Sequence, residues 1–258
     1  MDLHLGGKVA VVTGSTIGIG YAIAKGLIDE GVKVVVNGRR ADLVEKACNE
    51  LGELAVPCAA DVATVEGCDA LIKAAEAAGG ADILINNAGT GSNETIMEAP
   101  DEKWRHYMEL HLMAAVRLSR GLVPQMEEKG EGVILNVASI CAVQPLWYEP
   151  IYNTTKAALM MFSKTLSLEM IPKNIRVNCV NPGLILTPDW EKTARQLTAD
   201  KGGDWKGYLQ EIAEEHAPIN RFCQPDELAD FFVFLCSDRA SYSVGSAYFV
   251  DGGMKQTV

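Results

Sequence analysis

The feature that most constrains the fold is a regular alternation between two kinds of segment. Short runs of β-branched and aliphatic residues recur at 8–13 (KVAVVT), 33–37 (KVVVN), 54–58, 82–86, 132–137, 175–180 and 247–250. Between them stand longer stretches with helical patterning at 17–30, 41–51, 65–78, 101–128, 151–171 and 225–236. The short runs are apolar at successive positions, which requires cover on both faces. Strands of that kind separated by helices form a parallel sheet, and right-handed crossovers wind it in both directions. The expectation is a single-domain α/β chain over residues 1–258, a doubly wound (Rossmann) parallel sheet of about seven strands with helices on both faces. One long polar interruption, residues 186–219, carries Gly202, Gly203 and two tryptophans. A segment of that length in a compact domain is helical, functional or both, and we read it as a substrate lid.

Composition removes several alternatives. Hydrophobic residues at 48% and charged residues at 22% leave enough apolar side chain for a core and exclude a disordered chain. The net charge of −11, from 23 basic and 34 acidic residues, repels phosphate backbones and argues against nucleic acid as a partner. The most apolar stretch, 231–236, is far shorter than the ~20 residues of a membrane span, and the opening MDLHLGGKVA has no basic region followed by an apolar one. The seven cysteines are scattered without C-x-x-C spacing, so neither zinc nor a redox pair is indicated, and they read as reduced thiols of a cytoplasmic protein. His4 and His216 read as surface residues, and no metal constellation is visible.

After the first strand run comes Thr13-Gly14-Ser15-Thr16-Ile17-Gly18-Ile19-Gly20, opening directly into a helix. Glycines let a backbone turn tightly beside a ligand, and the helix start presents free N–H groups and a partial positive charge to an anion. A tight strand-to-helix turn needs glycine in any case, but this position, after strand one of an alternating chain, points to a nucleotide. The spacing is G-x-x-x-G-x-G rather than G-x-G-x-x-G. Further on stand Asn86-Asn87-Ala88-Gly89, Ser139, Tyr152-x-x-x-Lys156 and Pro182-Gly183-x-Ile185-x-Thr187, in that order. With these motifs the chain resembles the classical short-chain dehydrogenase/reductase family from Gly7 to Gly253.

That resemblance implies an NAD(P)-dependent oxidoreductase interconverting a secondary alcohol and a ketone. Tyr152 and Lys156 lie four apart on a helix, with Cβ atoms roughly 5–6 Å apart. A phenol titrates near ~10, and a neighbouring ammonium together with a cationic nicotinamide ring is expected to draw it toward neutrality. Tyr152 would then exchange a proton with the substrate oxygen, Lys156 would bond the cofactor ribose, and Ser139 would hold the substrate oxygen. The family's fourth catalytic position, an asparagine that helps hold a water leading from the lysine to solvent, is His111 here. An imidazole there is a tolerated filler, a proton relay or a packed core histidine. The resemblance further places Gly14, Ser15, Thr16, Gly18, Ile19, Gly20, Asp61, Val62, Asn87, Ala88, Gly89, Pro182, Gly183, Ile185 and Thr187 along the cofactor.

Cofactor choice turns on Val36-Asn37-Gly38-Arg39-Arg40. A carboxylate at this strand end would bond the ribose hydroxyls and repel a 2′-phosphate, but the place is held by Gly38 and followed by Arg39 and Arg40. Arg39 offers a planar fork for phosphate, so NADP is favoured with NAD as the alternative; the other reading is a solvated pair at a helix start. For the substrate, Gln144, Trp147, Tyr148 and Glu149 between Ser139 and Tyr152 supply aromatic faces and polar handles, with Trp190, Asp189 and Trp205 added from the lid. Trp147 and Tyr148 are equally well placed for a subunit contact. A sugar, polyol or other cyclic alcohol competes with a 3-oxoacyl thioester on an acidic carrier, which an acidic chain receives poorly. A catalytically degenerate nucleotide-binding scaffold or sensor is the remaining alternative. The helix at 151–171 carries Ala157, Ala158, Met160, Met161, Phe162, Leu166 and Leu168, apolar beyond one face. Such a helix calls for a partner, and the resemblance implies a homotetramer, or a dimer.

Overall fold

A computed structural model of the chain describes all residues except Ser92, Trp147 and Val258. Seven parallel strands, β1 (Val9–Val12), β2 (Lys33–Gly38), β3 (Ala55–Ala59), β4 (Ile83–Asn86), β5 (Gly132–Val137), β6 (Ile175–Pro182) and β7 (Ala247–Val250), form one sheet in the order β3-β2-β1-β4-β5-β6-β7. The order reverses between β1 and β4, so the crevice where doubly wound sheets hold ligands opens at the carboxyl ends of these two strands. The helices are α1 (Gly18–Asp29), α2 (Ala41–Leu51), α3 (Val65–Ala77), α4 (Asp101–Met108), α5 (Ala114–Lys129), α6 (Pro150–Met170), α7 (Pro188–Thr198), α8 (Trp205–His216) and α9 (Pro225–Cys236).

The central strands β1, β4 and β5 are buried at every position, because both faces are covered. One core layer packs Ile23, Leu27, Leu228 and Phe232 against Val12, Val34 and Ile85. The other packs Leu71, Leu118, Leu122, Met126 and Leu166 against Val11, Leu84 and Ile134. The edge strand β3 is only partly covered and tolerates Pro57, because an edge strand has one side without a ladder, where a missing N–H breaks nothing. All seven cysteines are free thiols, and no helix among the described residues is long and apolar enough to cross a membrane.

The structure modifies the expected elements in two places. The long helix predicted over 101–128 is divided by a π-helical turn, Glu109–Met113, and His111 sits inside it. Such turns insert one residue into a helix and change the direction in which side chains project. The segment at 186–219 is largely helical, with α7 and α8 closing a small apolar cluster of Ala194, Leu209, Ala213 and Phe222.

Candidate active site

The glycine turn is fitted to the sheet by polar side chains from three strands. The hydroxyl of Thr13 accepts from the main-chain N–H groups of Asn87 (2.9 Å) and Ala88 (2.9 Å), while Asn87 Nδ2 donates to the carbonyls of Thr13 (2.9 Å) and Gly14 (3.1 Å). From β2, Asn37 Oδ1 accepts from the Gly14 N–H (3.3 Å), and its amide donates to Cys58 O and Ala60 O. A Cβ on Gly20 would stand 2.4 Å from both Gly14 O and Asn87 Nδ2, so only glycine allows the turn and helix to close this tightly. No side chain caps α1, which leaves its first-turn N–H groups for a ligand, and an anionic diphosphate fits that helix start.

Other residues along the crevice divide into those that face it and those that do not. Ser15 is fully buried, and its hydroxyl is turned inward, donating to Val12 O (2.7 Å) and accepting from Asn37 N (2.9 Å). Thr187, at the start of α7, puts its methyl within 3.6 Å of a Cβ built on Gly18, so the loop after β6 meets the glycine turn. Pro182 ends β6, the Gly183 N–H donates to Val250 O (3.0 Å), and the Ile185 side chain lies in the core. Val62 is buried, and Asp61 accepts from the Ala63 N–H (3.0 Å) to shape the turn before α3. Ile19 packs on the core from the first turn of α1.

At the end of β2 the two arginines differ. Arg40 is bound to Asp42 through Nε (3.2 Å) and Nη2 (2.6 Å). Arg39 is exposed and makes no side-chain hydrogen bond or ion pair among the described residues. Gly38 has a local reason: a Cβ there would stand 2.7 Å from the Thr16 methyl.

Ser139, Tyr152, Lys156 and His111 come together. Ser139 follows β5 and accepts from the Cys141 N–H (3.2 Å) at the start of a short 3₁₀ turn. Pro150 opens α6, placing Tyr152 in its first turn and Lys156 one turn on. Lys156 Nζ donates to Val137 O (2.7 Å) and stands 5.5 Å from the Tyr152 ring centroid. Burial pushes Lys156 down to about 8. In the chain itself burial raises the Tyr152 phenol above its ordinary value, with the Ser139 hydroxyl acting the other way. The resting group is therefore a protonated phenol, the form needed to give a proton to a ketone oxygen.

His111 is buried at 2% exposure, edge-on to Tyr152 with ring centroids 5.7 Å apart. Thr155 Oγ1 donates to Tyr152 O (3.1 Å), so its contact with His111 Nδ1 (2.8 Å) takes the proton from the ring. Nε2 in turn accepts from the Thr90 N–H (3.1 Å). Both nitrogens are thus engaged by a neutral imidazole, and a second proton would face a donor. Burial first, and Lys156 next, push the ring down to about 2. The relay option, an ionisation of this ring near neutrality, is not what this environment supports. A stability consequence follows with a definite sign. Between about pH 6.5 and the folded value the unfolded chain binds a proton that the folded chain refuses, so stability rises with pH and is lost on acidification. Comparing melting temperatures from about pH 7 to pH 5, wild type should lose more than His111→Asn; equal losses would place the imidazole outside this linkage.

The proposed substrate handles are less uniform than expected. Gln144 donates to Met254 O (3.2 Å) and accepts from Gln256 N (3.2 Å), so its amide holds the C-terminal segment rather than the cleft. Trp190 stacks edge-on against Phe222 (5.3 Å) inside the α7–α8 cluster, because these two helices have an apolar core to fill. Glu149 reaches the opposite loop, with Oε1 3.0 Å from a Cβ built on Gly91. Tyr148 is half-buried, and Trp147 lies outside the described residues. Among the described residues no group of acids, cysteines and histidines could hold a metal. Thr13, Asn37, Thr90 and Thr155 escaped the sequence reading. Asn37 left a signal, a buried amide ending an otherwise apolar strand run.

A nucleotide crevice with a serine, tyrosine and lysine at its mouth defines an NAD(P)-dependent oxidoreductase. Residues 14–255 match the family model described as enoyl-(acyl carrier protein) reductase. The chain is 37% identical to human dehydrogenase/reductase SDR family member 4, over 96% of this chain and 88% of that protein. It belongs to the short-chain dehydrogenase/reductase family. Among solved structures, L-sorbose reductase from Gluconobacter frateurii complexed with NADPH and L-sorbose is 65% identical, with 100% of both chains covered and a TM-score of 0.99. The 3-ketoacyl-(acyl-carrier-protein) reductase from Brucella melitensis complexed with NADH is 34% identical over 97% of this chain and 99% of that one, with a TM-score of 0.84.

Proposed function

We propose that the chain is an NADPH-dependent reductase of a polyhydroxy ketone, acting reversibly on a ketohexose of the L-sorbose type and its polyol. The observation that carries this reading is the 65% identity, without gaps in coverage, to a reductase complexed with NADPH and L-sorbose. The site's chemistry agrees with it. Glu149, with polar main chain around Gly91, suits a substrate bearing several hydroxyls better than an acyl chain. The nicotinamide cofactor supplies the hydride that reduces the carbonyl carbon. Ser139 holds the carbonyl oxygen, and Tyr152 donates its phenolic proton to that oxygen as charge develops there. Lys156, anchored on Val137 O, orients the ribose and stabilises the phenolate left behind. His111 fixes Thr155, which grips the main chain of Tyr152, so its part is to hold the proton donor in place.

The 3-oxoacyl thioester reading is favoured by the 34% identical relative, and the family-model description shares with it the acyl carrier. The net charge of −11 opposes docking of an acidic carrier. Following nicotinamide absorbance with L-sorbose, other ketoses and a 3-oxoacyl thioester, each with NADPH and NADH, decides between them. Ketose turnover with NADPH is expected. Thioester turnover alone would replace the reading, and tight cofactor binding with no turnover would return the scaffold alternative. The segment at 186–219 acts in this scheme as the substrate lid of a one-domain enzyme. The outer side of α6 leaves Met161 and Leu168 more than 60% exposed, which supports a homo-oligomer, a tetramer being the expected form. Light scattering on the purified chain measures it, and a monomer would overturn the assignment.

A further inference from the structure

We infer that Lys103, Tyr107 and His111 form a three-point clamp on the loop that follows β4, and that Tyr107 and Lys103 are positioning residues for the substrate. The proposal rests on the reductase reading for its kinetic readout only. The three residues lie at successive four-residue intervals, so they begin as one stripe on α4. In an uninterrupted α-helix the third would rotate roughly 80° away from the first, at 3.6 residues per turn. The π-helical turn at Glu109–Met113 changes that projection, and His111 meets Tyr107 edge-on with centroids 5.2 Å apart.

Each member of the stripe takes one residue of the loop, in reversed order. His111 Nε2 accepts from the Thr90 N–H (3.1 Å). The Tyr107 hydroxyl donates to Gly91 O (2.5 Å). Lys103 Nζ pairs with the Glu94 carboxylate, whose side chain is only 11% exposed. The clamp then crosses to the other wall of the cleft, because the Glu94 N–H donates to Tyr148 O (3.1 Å), next to Glu149. At its inner end the loop starts from Gly89, where a Cβ would stand 3.2 Å from His111 Nε2 and 3.3 Å from Lys156 Nζ. Lys103 stands 5.8 Å from the Tyr107 ring centroid, Tyr107 touches His111, and His111 touches Tyr152, so one file of side chains joins the loop to the proton donor.

A loop anchored at three points does not have to be ordered by the substrate, and a ketose therefore meets a formed wall. Loss of an anchor should weaken substrate binding while the chemistry and the cofactor side stay close to normal. Tyr107→Phe is the clean test, since it removes one hydroxyl and keeps the ring against His111. The expected result is a KM for L-sorbose raised roughly three- to tenfold, the range of one hydrogen bond, with kcat and NADPH affinity changed little. Lys103→Met leaves a buried carboxylate unpaired and risks the fold, so it is made together with Glu94→Gln, and Lys103→Arg should restore the wild-type KM. A second readout needs no substrate: amide hydrogen exchange of the 89–95 segment in the NADPH complex should quicken in Tyr107→Phe. Unchanged exchange overturns the clamp whatever the substrate proves to be. Quickened exchange with an unmoved ketose KM, or with KM and NADPH affinity lost together, overturns the positioning role. Absence of ketose turnover in wild type, with exchange quickened as expected, would fault the substrate reading and leave the clamp standing.

Discussion

Tyr152→Phe is expected to lower ketose reduction by at least ~100-fold while leaving NADPH binding and the fold intact. The substitution removes one oxygen from a ring whose other contacts do not use it. Thr155 bonds the main-chain carbonyl of Tyr152, His111 meets the ring edge, and Lys156 is anchored on Val137 O. What disappears is the group proposed to give a proton to the substrate oxygen. Because burial holds the phenol above its ordinary value, reduction in wild type should not fail at neutral pH for want of a protonated Tyr152. Its alkaline limb should instead appear near the value of Lys156, about 8, where the ammonium that steadies the phenolate left behind is lost. Single-turnover rates with NADPH across that range measure both effects. A Phe variant that turns over near the wild-type rate would mean that the proton comes from another group.

The fold was legible in the sequence because a parallel sheet covered on both faces leaves an unambiguous pattern, and the runs at 82–86 and 132–137 became central strands with no exposed position. The meeting of Ser139, Tyr152 and Lys156 was legible because helical spacing and motif order suffice for it. The rest depended on contacts that spacing does not carry. His111 was noticed, but its neutral state is set by Thr90 and Thr155, which stand 21 and 44 residues away. The π-helical turn that aims it lies within a run that reads as one continuous helix over 101–128. Gln144 reads as a free polar handle until Met254, 110 residues on, is seen to receive its amide. Ser15 stands in the run that the resemblance places along the cofactor, and the sequence does not tell that its hydroxyl is turned inward to β2.

Arg39→Ala is expected to weaken NADPH binding by about 1–3 kcal/mol, roughly five- to 150-fold, and to leave NADH nearly unchanged. The usual alternative at the end of β2 is a carboxylate that bonds the ribose hydroxyls, and two features stand against it here. A side chain at Gly38 would run into the Thr16 methyl at 2.7 Å, inside the glycine turn that the cofactor itself needs. The position also begins a pair of cations whose members are not equivalent. Arg40 is engaged by Asp42, whose guanidinium contact holds that carboxyl below the usual carboxylate range, so Arg40→Ala should cost far less. Arg39, exposed and without a protein partner among the described residues, keeps its planar fork for an added phosphate. Fluorescence titration of the three proteins with both cofactors separates the cases. Equal losses of NADPH and NADH in Arg39→Ala would show a guanidinium stacked on adenine and indifferent to the phosphate. A wild-type enzyme that binds NADH the more tightly would end the assignment, because nothing else at the end of β2 offers a 2′-phosphate an unengaged charge.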